Sequence, residues 1–565
     1  MTIALPVLAS PGDATAMRAE IAMERLLNTW LREHMAGFVP IEGETCAIDV
    51  GIDRLLAFCM QSSPGGFHRW RLPVMVEAED RSSVAVDDPS VVAGLMANAL
   101  LPGTGPAAPA IRDRLLSALR AAESHGRICA SRPADCSPMG LEQALWHGHP
   151  FHPFAKSIDG FSAEDIELYA PERSKEFQLR WILAEPGAGA ALWRDPDVES
   201  SACALLAELS GLPQKTIGDR LLIPSHPWQA VRLENDPAFA ALAAQGRAII
   251  TLPTGVPVQP TSSVRTVFVP GSNIFLKMPI EARITNFART NPPEQVARSM
   301  AASRALDALR DHVANSGFEV LSESGAMWID RPGLEAITGV ILRDGPSGEA
   351  FVLAGLLEPS PSDGRPMLAA MGCHLSSPAD VETWLSAYVR AAIHPPLHLF
   401  VRTGLSVEAH SQNSLLVLDR GNPKRLIVRD LEGVSIDRTR FERVAPDLDF
   451  DPSVFFPAEE ARQRLIYYLI SNNLNHVIAT IVRMSNASEA RLWRVAAGTL
   501  VAAAEDSETA QLVEWLLAID TLPAKANFSS CFAGNAERPA YVAIANPMRI
   551  AARHEQVPEI AAKSS

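Results

Sequence analysis

Between residues 408 and 437 the segment EAHSQNSLLVLDRGNPKRLIVRDLEGVSID brings Glu408, His410, Gln412, Asn413, Asp430 and Glu432 into one short stretch. Carboxylates and an amide are oxygen donors for a hard divalent cation. Mg²⁺ takes one or two carboxylates and completes its shell with water and phosphate oxygens, so the chemistry suggested is that of a nucleotide-metal site with an imidazole beside it. The apolar runs 413–418 and 425–430 flank residues 419–424, where Asp, Gly, Asn and Pro turn the chain, and together they predict a hairpin. With a six-residue loop, Leu418 faces Arg425 and Asn413 lies opposite Asp430 at the open end. The alternative is an ordinary hairpin whose acidic end faces water. His-x-x-Asn opening one strand and Asp-x-Glu closing the next is denser than that alternative needs.

A second group of candidates is basic. Residues 261–290, TSSVRTVFVPGSNIFLKMPIEARITNFART, carry Arg265, Lys277, Arg283 and Arg289 against Glu281 alone, inside a chain whose formal charge is −15. The β-rich runs 264–269 and 273–278 are joined by Pro270-Gly271-Ser272, which predicts a hairpin with a three-residue loop. In that register Arg265 pairs with Lys277 on one face. Like charges directly opposite each other are unfavourable unless an anion lies between them, so the register predicts a bound phosphate or carboxylate. Ser262, Ser263, Thr285 and Asn286 add short donors. A solvated edge hairpin whose charges prevent aggregation is the competing reading.

The third candidate is GHPFHPFAKSIDGF at 148–161, where His149 and His152 each precede a proline and are held out of helix. With Lys156 this reads as an anion-binding loop or as a structural loop. Zinc is the weaker option, because His147, His149 and His152 lack helical i, i+4 spacing and a cysteine partner. Asn472 and His476 share a helix face, either capping a pocket or forming a satisfied polar seam.

The elements that must position these groups are readable in outline. Helical periodicity covers 14–38, 87–100, 110–124, 293–317, 379–404 (bent at Pro395-Pro396), 458–484, 489–505 and 507–520; strands are expected at 46–50, 70–76, 338–343 and 351–354. With 565 residues, 47% hydrophobic and 20% charged, the chain is a soluble globular protein of several domains. Its negative charge argues against a nucleic-acid or anionic-membrane partner. Seven cysteines without a C-x-x-C pair suit a reducing cytosol, no basic n-region marks a signal peptide, and no apolar run reaches the ~18 residues of a span. The expected location is cytoplasmic.

HPxHPxxK at 149–156, Ser263-x-Arg265, Lys277, ITNFxRT ending at Arg289 and Thr290, EAHxQN at 408–413 and RDLEG at 429–433 together resemble the IucA/IucC family, the NRPS-independent siderophore synthetases. The resemblance implies an α+β fold shaped as a cupped hand, with antiparallel sheets and a helical C-terminal region. Residues 1–145 would form the thumb, 146–345 the fingers with the basic hairpin, and 346–565 the palm. It implies an ATP- and Mg²⁺-dependent ligase that adenylates a carboxylate of citrate or a citrate derivative and passes the acyl group to an amine or hydroxyl. Ser263, Arg265 and Lys277 would hold the phosphates, and Arg289 with Thr285 would clamp the carboxylate. His410 and Asn413 would line the nucleotide and reaction centre, Asp430 and Glu432 would bind Mg²⁺ with Glu408 as helper, and His149, His152 and Lys156 would lie on the acyl-acceptor side. Homodimers are common in the family. Two other functions stay open: a kinase-like phosphotransferase, although there is no Gly-rich loop, H-R-D or D-F-G, and a non-enzymatic binder of citrate or a ferric chelate, which leaves Asp430 and Glu432 unexplained. The shared motifs do not choose among citrate, a citrate half-amide and 2-oxoglutarate, nor do they name the nucleophile.

Overall fold

The computed structural model describes residues 11–553 except 36, 78–81, 102–107, 286, 374, 447–451, 486 and 534–539. Asn286, one of the expected donors, lies outside the described residues.

The N-terminal helix Pro11–His34 lays its apolar stripe on an antiparallel meander of four strands, Thr45–Val50, Asp53–Gln61, Arg69–Glu77 and Ser83–Val86. Met23, Leu27, Trp30, Ile48, Leu55, Trp70 and Val74 fill the space between them, and Phe528 from the far end of the chain joins that core. Glu33 holds that C-terminal segment by accepting the Phe528 and Ser529 N–H groups at 2.8 Å each. The helices Pro89–Leu100 and Ala108–Ala130 complete this part.

The middle of the chain builds a six-stranded sheet in the order Gln259–Pro260, Thr266–Val269, Ile274–Lys277, Val340–Asp344, Glu323–Ile329, Gly189–Trp193. Its four inner strands present Val267, Leu276, Leu342 and Met327 to one buried core. A second sheet pairs Glu319–Val320, Asn422–Val428, Ser414–Asp419 and Phe351–Val352. Its core is shared with the long C-terminal helices and with Ala301, Ala305 and Leu306 of the helix Pro293–Ala308. The strands expected at 338–343 and 351–354 are present as Val340–Asp344 and Phe351–Val352, and they belong to different sheets. The α+β class with mainly antiparallel sheets is what is found; among the described residues the parallel strand pairs are Glu319–Val320 on Asn422–Val428 and Ser435–Asp437 on Phe455–Phe456.

The helical stretch at 458–484 is continuous but π-helical over Tyr467–Leu474, and the one at 378–403 over Val389–Ile393. Pro395 and Pro396 follow the π-helical turn directly, at the start of the α-helical segment His394–Thr403. Residues 458–484 are long and apolar enough to cross a membrane, but 94% of their most apolar window is buried inside the protein.

Candidate active site

The basic hairpin differs from expectation by one residue. Its loop spans four residues, 270–273, with Gly271 and Asn273 at positive φ, so Thr266 rather than Arg265 faces Lys277. The anion predicted between Arg265 and Lys277 therefore loses its register argument. The two cations converge by another route. Val264, at φ 66°, turns the chain just before the strand. Arg265 then donates through Nη1 to the carbonyls of Arg289 (3.2 Å) and Thr290 (3.0 Å) and to Asn291 Oδ1 (2.7 Å). Ser263 Oγ accepts the Thr266 N–H at 3.2 Å and closes the turn.

The acidic hairpin is also shifted. Arg420 and Gly421, both left-handed, form a two-residue turn, and an irregularity at Val417/Leu418 absorbs the extra residue. Asn413 consequently faces Arg429, whose N–H it accepts at 3.0 Å, and not Asp430. Asp430 follows at φ 73° and directs its carboxylate to Lys277 Nζ (2.7 Å) and Arg343 Nη2 (3.3 Å). Glu432 Oε2 lies 3.1 Å from the same ammonium and 3.9 Å from Arg265 Nη2, while Arg298 Nη2 stands 3.9 Å from its other oxygen.

Two carboxylates thus stand among four cations. Burial alone would raise the Asp430 pKa, but the Lys277 ammonium and Arg343 outweigh it and hold the carboxyl well below the usual range. Glu432 is lowered by the same balance, burial and Asp430 opposing Lys277 and Arg265. Both are ionised at neutral pH. Two hard oxygen donors converging on one cation, here an ammonium, fit a divalent ion that takes its remaining ligands from water and phosphate. Glu408, expected as a helper, does not join them. It pairs with Arg464 Nη2 at 3.4 Å and lies against Gly433. Among the described residues no group of three His, Cys, Asp or Glu side chains is placed to hold a metal.

Arg289 Nη2 donates to Thr285 Oγ1 at 2.8 Å, and burial, with Arg265 nearby, lowers its pKa to about 10. It remains charged. Thr285 is held at φ 56° from both sides: its N–H reaches Ser157 O at 3.3 Å, and Arg114 donates to its carbonyl. His410 Nδ1 accepts the Asn413 N–H at 3.3 Å, and burial lowers its pKa, so the ring is neutral with its proton on Nε2. His149 is half-buried within reach of this centre, its Nε2 3.2 Å from the Asn472 amide, whose Oδ1 accepts the Ser411 N–H at 3.2 Å. His152 stands with its ring 6.1 Å from that of His149. Lys156 departs from expectation: its ammonium is bonded to Glu172 and, at 2.8 Å, to Leu145 O, which leaves the anion-binding reading of this loop without its cation.

Several participants went unseen in the sequence. Arg343 is locked by Glu323 at 2.8 Å; the only cue was a charge ending the apolar run VIL. Asn291 receives Arg265 and donates to Lys277 O at 3.1 Å and Gly339 O at 2.7 Å, so it ties the two cations together from behind. Asn472, read from the sequence as a pocket cap or a polar seam, bonds His149 and Ser411, whereas His476, one turn on, stacks on Phe67. Lys525 donates to Tyr468 OH at 2.9 Å, and that ring stands 5.7 Å from His410.

With this geometry in place, likeness to known proteins is informative. Residues 137–358 match the family model described as IucA / IucC family, and residues 382–540 match one described as Ferric iron reductase FhuF-like transporter. The chain is 34% identical to the L-2,3-diaminopropanoate–citrate ligase of Staphylococcus aureus over 72% of its own length and 74% of that protein. It is 28% identical to the aerobactin synthase of Escherichia coli over 55% of its length and 57% of that protein. Among solved structures, the ATP-bound aerobactin synthetase IucA from Klebsiella pneumoniae superposes with a TM-score of 0.84 at 22% identity, covering 94% of this chain and 99% of that one. The fold is therefore that of these synthetases. Fold and relatives together define a ligase of siderophore biosynthesis. The chain belongs to the IucA/IucC family.

Proposed function

We propose that this ligase adenylates a carboxylate of citrate, or of a citrate derivative, and transfers the acyl group to an amine, releasing pyrophosphate and then AMP. The observation that carries the reading is the clamp of Lys277 between Asp430 and Glu432, with Arg265 and Arg343 around it and the Arg289–Thr285 pair beside it. A carboxylate is a poor electrophile, because its charge repels a nucleophile and its leaving group would be oxide. Adenylation supplies the leaving group.

In this reading Ser263, Arg265 and Lys277 hold the triphosphate, and their cations offset the charge that builds as pyrophosphate departs. Asp430 and Glu432 hold Mg²⁺, which when bound neutralises phosphate oxygens and polarises the phosphoryl group. Arg289 orients one substrate carboxylate, a task for which a guanidinium fork is better suited than an ammonium. His410, neutral and protonated on Nε2, donates a hydrogen bond at the reaction centre and does not act as a fixed charge. Asn413 sets its tautomer from the backbone. His149 and His152 border the acyl-acceptor side, and the protein works as a homodimer in the cytoplasm.

The relatives' names support citrate with an amine: diaminopropanoate in one, spermidine in another, from Bacillus anthracis. The test is release of AMP and pyrophosphate from Mg-ATP with hydroxylamine as surrogate nucleophile, offering citrate and 2-oxoglutarate separately. Citrate-dependent hydroxamate is the expected product. ADP in place of AMP would sink the reading and favour a phosphotransferase.

A further inference from the structure

The short helix Pro138–Glu142 ends on a carboxylate that is buried among polar and charged partners. Glu142 is 3% exposed and Arg429 5%. Arg429 Nη1 donates to Glu142 Oε1 at 2.5 Å and Nη2 to Oε2 at 3.2 Å, so the pair is bidentate. The same Oε2 accepts the Ser262 N–H at 3.1 Å. The next residue, Gln143, donates to Pro260 O at 3.2 Å. Arg429 Nη2 also donates to Gln412 O at 2.9 Å, and Gln412 Nε2 reaches Ser262 Oγ at 3.4 Å.

One carboxylate therefore grips two separate parts of the site. On one side is the turn 260–265 that presents Ser263 and Arg265; on the other is the strand end that presents Asp430. Each part contains a residue in the left-handed region, Val264 at φ 66° and Asp430 at φ 73°. Neither is a glycine, and such conformations persist only where surrounding contacts over-determine them. Glu142 bonds the backbone two residues before Val264 and the side chain one residue before Asp430. A buried ion pair is a poor stabilising device, because desolvation consumes most of its attraction, whereas a bidentate fork fixes distance and plane together. The arrangement suits alignment better than stability.

We propose that Glu142 is a positioning residue: it sets the phosphate-side turn and the metal-side strand in mutual register, so that a nucleotide and its metal meet both at once. The proposal rests on the reading that Ser263 and Arg265 hold phosphate and Asp430 and Glu432 the metal. Glu142 itself touches neither.

The test compares wild type with Glu142→Gln, which keeps the shape and one acceptor but loses the charge. Calorimetric binding of a non-hydrolysable ATP analogue with Mg²⁺ should weaken about tenfold, the effect of losing one charge-assisted hydrogen bond. The Mg²⁺ concentration at half-maximal pyrophosphate release should rise, while KM for citrate stays unchanged. Glu142→Asp, which keeps the charge, should restore part of the loss. Adding Ser263→Ala to Glu142→Gln should cost less than Ser263→Ala alone, because the turn is already misplaced. Unchanged analogue affinity and metal requirement in folded Glu142→Gln would overturn the proposal, as would an equal rise in KM for citrate, the mark of general loosening. Should Glu142→Gln fail to fold, Arg429→Lys carries the same expectations, since an ammonium cannot serve both carboxylate oxygens and Gln412 O. Wild type that binds no ATP analogue would instead overturn the functional reading underneath, and this proposal with it.

Discussion

Lys277 Nζ lies 2.7 Å from Asp430 Oδ1, with the lysine 1% exposed and the two residues 153 positions apart in the chain. A buried ammonium thus stands between the two carboxylates that would take a metal, and it comes from the sheet that also carries Arg343. Replacing it with methionine leaves Asp430 and Glu432 facing each other. Removing one partner of a fully buried pair costs about 3–5 kcal/mol; with Arg343 retained and both carboxylates partly open to solvent, roughly 2 kcal/mol is expected for Lys277→Met. Urea unfolding measures this directly, and pyrophosphate release should fall in the same variant.

Arg289 and Thr285 should separate carboxylate recognition from nucleotide recognition. Arg289→Ala removes a charge-assisted clamp of about 1.5–3 kcal/mol, so kcat/KM for citrate should drop roughly 10- to 150-fold, with a smaller change in KM for ATP. Equal losses in both would place Arg289 on the phosphates instead.

Acid should find the ion cluster first. Asp430 and Glu432 have folded pKa values held below the usual carboxylate range, so the stability they add is complete above about pH 4 and is lost as pH falls through their lower folded values. Between pH 5 and pH 2, on the order of the carboxylate range, the melting temperature of wild type should fall more steeply than that of Asp430→Asn/Glu432→Gln. Parallel curves would show that the cluster does not govern acid sensitivity.

Both hairpins, their turn residues and the residues they deliver were legible in the sequence; neither register was. The reasons are local and physical. Arg420 adopts the left-handed conformation ordinarily left to Gly or Asn, so a two-residue turn hid inside an apparent six-residue loop. Asn273 does the same at the basic hairpin, extending its loop by one. A one-residue slip reverses every strand face, yet the site survives because Arg265, Asp430 and Glu432 lie just outside the ladders, at or after the left-handed residues Val264 and Asp430 that re-aim the chain toward Lys277. Arg343 and Asn291 were invisible for a different reason: they contact the site from behind, through tertiary packing that no local pattern encodes. Lys156 shows the reverse error, a cation in a suggestive loop that burial commits to Glu172.

Gly433 tests how tightly the acidic loop is packed. A Cβ there would fall 1.8 Å from Glu408 Cδ, so alanine must displace the Glu408 carboxylate from Arg464. Overpacking of this kind costs about 1–3 kcal/mol. Glu408→Ala made in the same chain should restore much of the lost melting temperature, because it removes the obstructing group. A double variant no more stable than Gly433→Ala alone would contradict the packing argument.

His410 carries the most specific pH expectation. Its Nδ1 accepts the Asn413 N–H, and burial depresses its pKa below 6.5 against the opposing pull of Glu408. The ring is therefore neutral at pH 7 and stays so until the pH drops below its ordinary value. A role as neutral donor predicts flat kcat/KM for citrate-dependent pyrophosphate release from pH 8 down to about 6.5, with any acid limb lower still. Glutamine offers an N–H donor without a titrating ring. His410→Gln should accordingly keep more activity than His410→Ala and lose whatever part of the acid limb belongs to the imidazole. If activity instead follows a group titrating above pH 7 that disappears in His410→Gln, the ring works as a charged acid, and the backbone hydrogen bond from Asn413 does not set its proton.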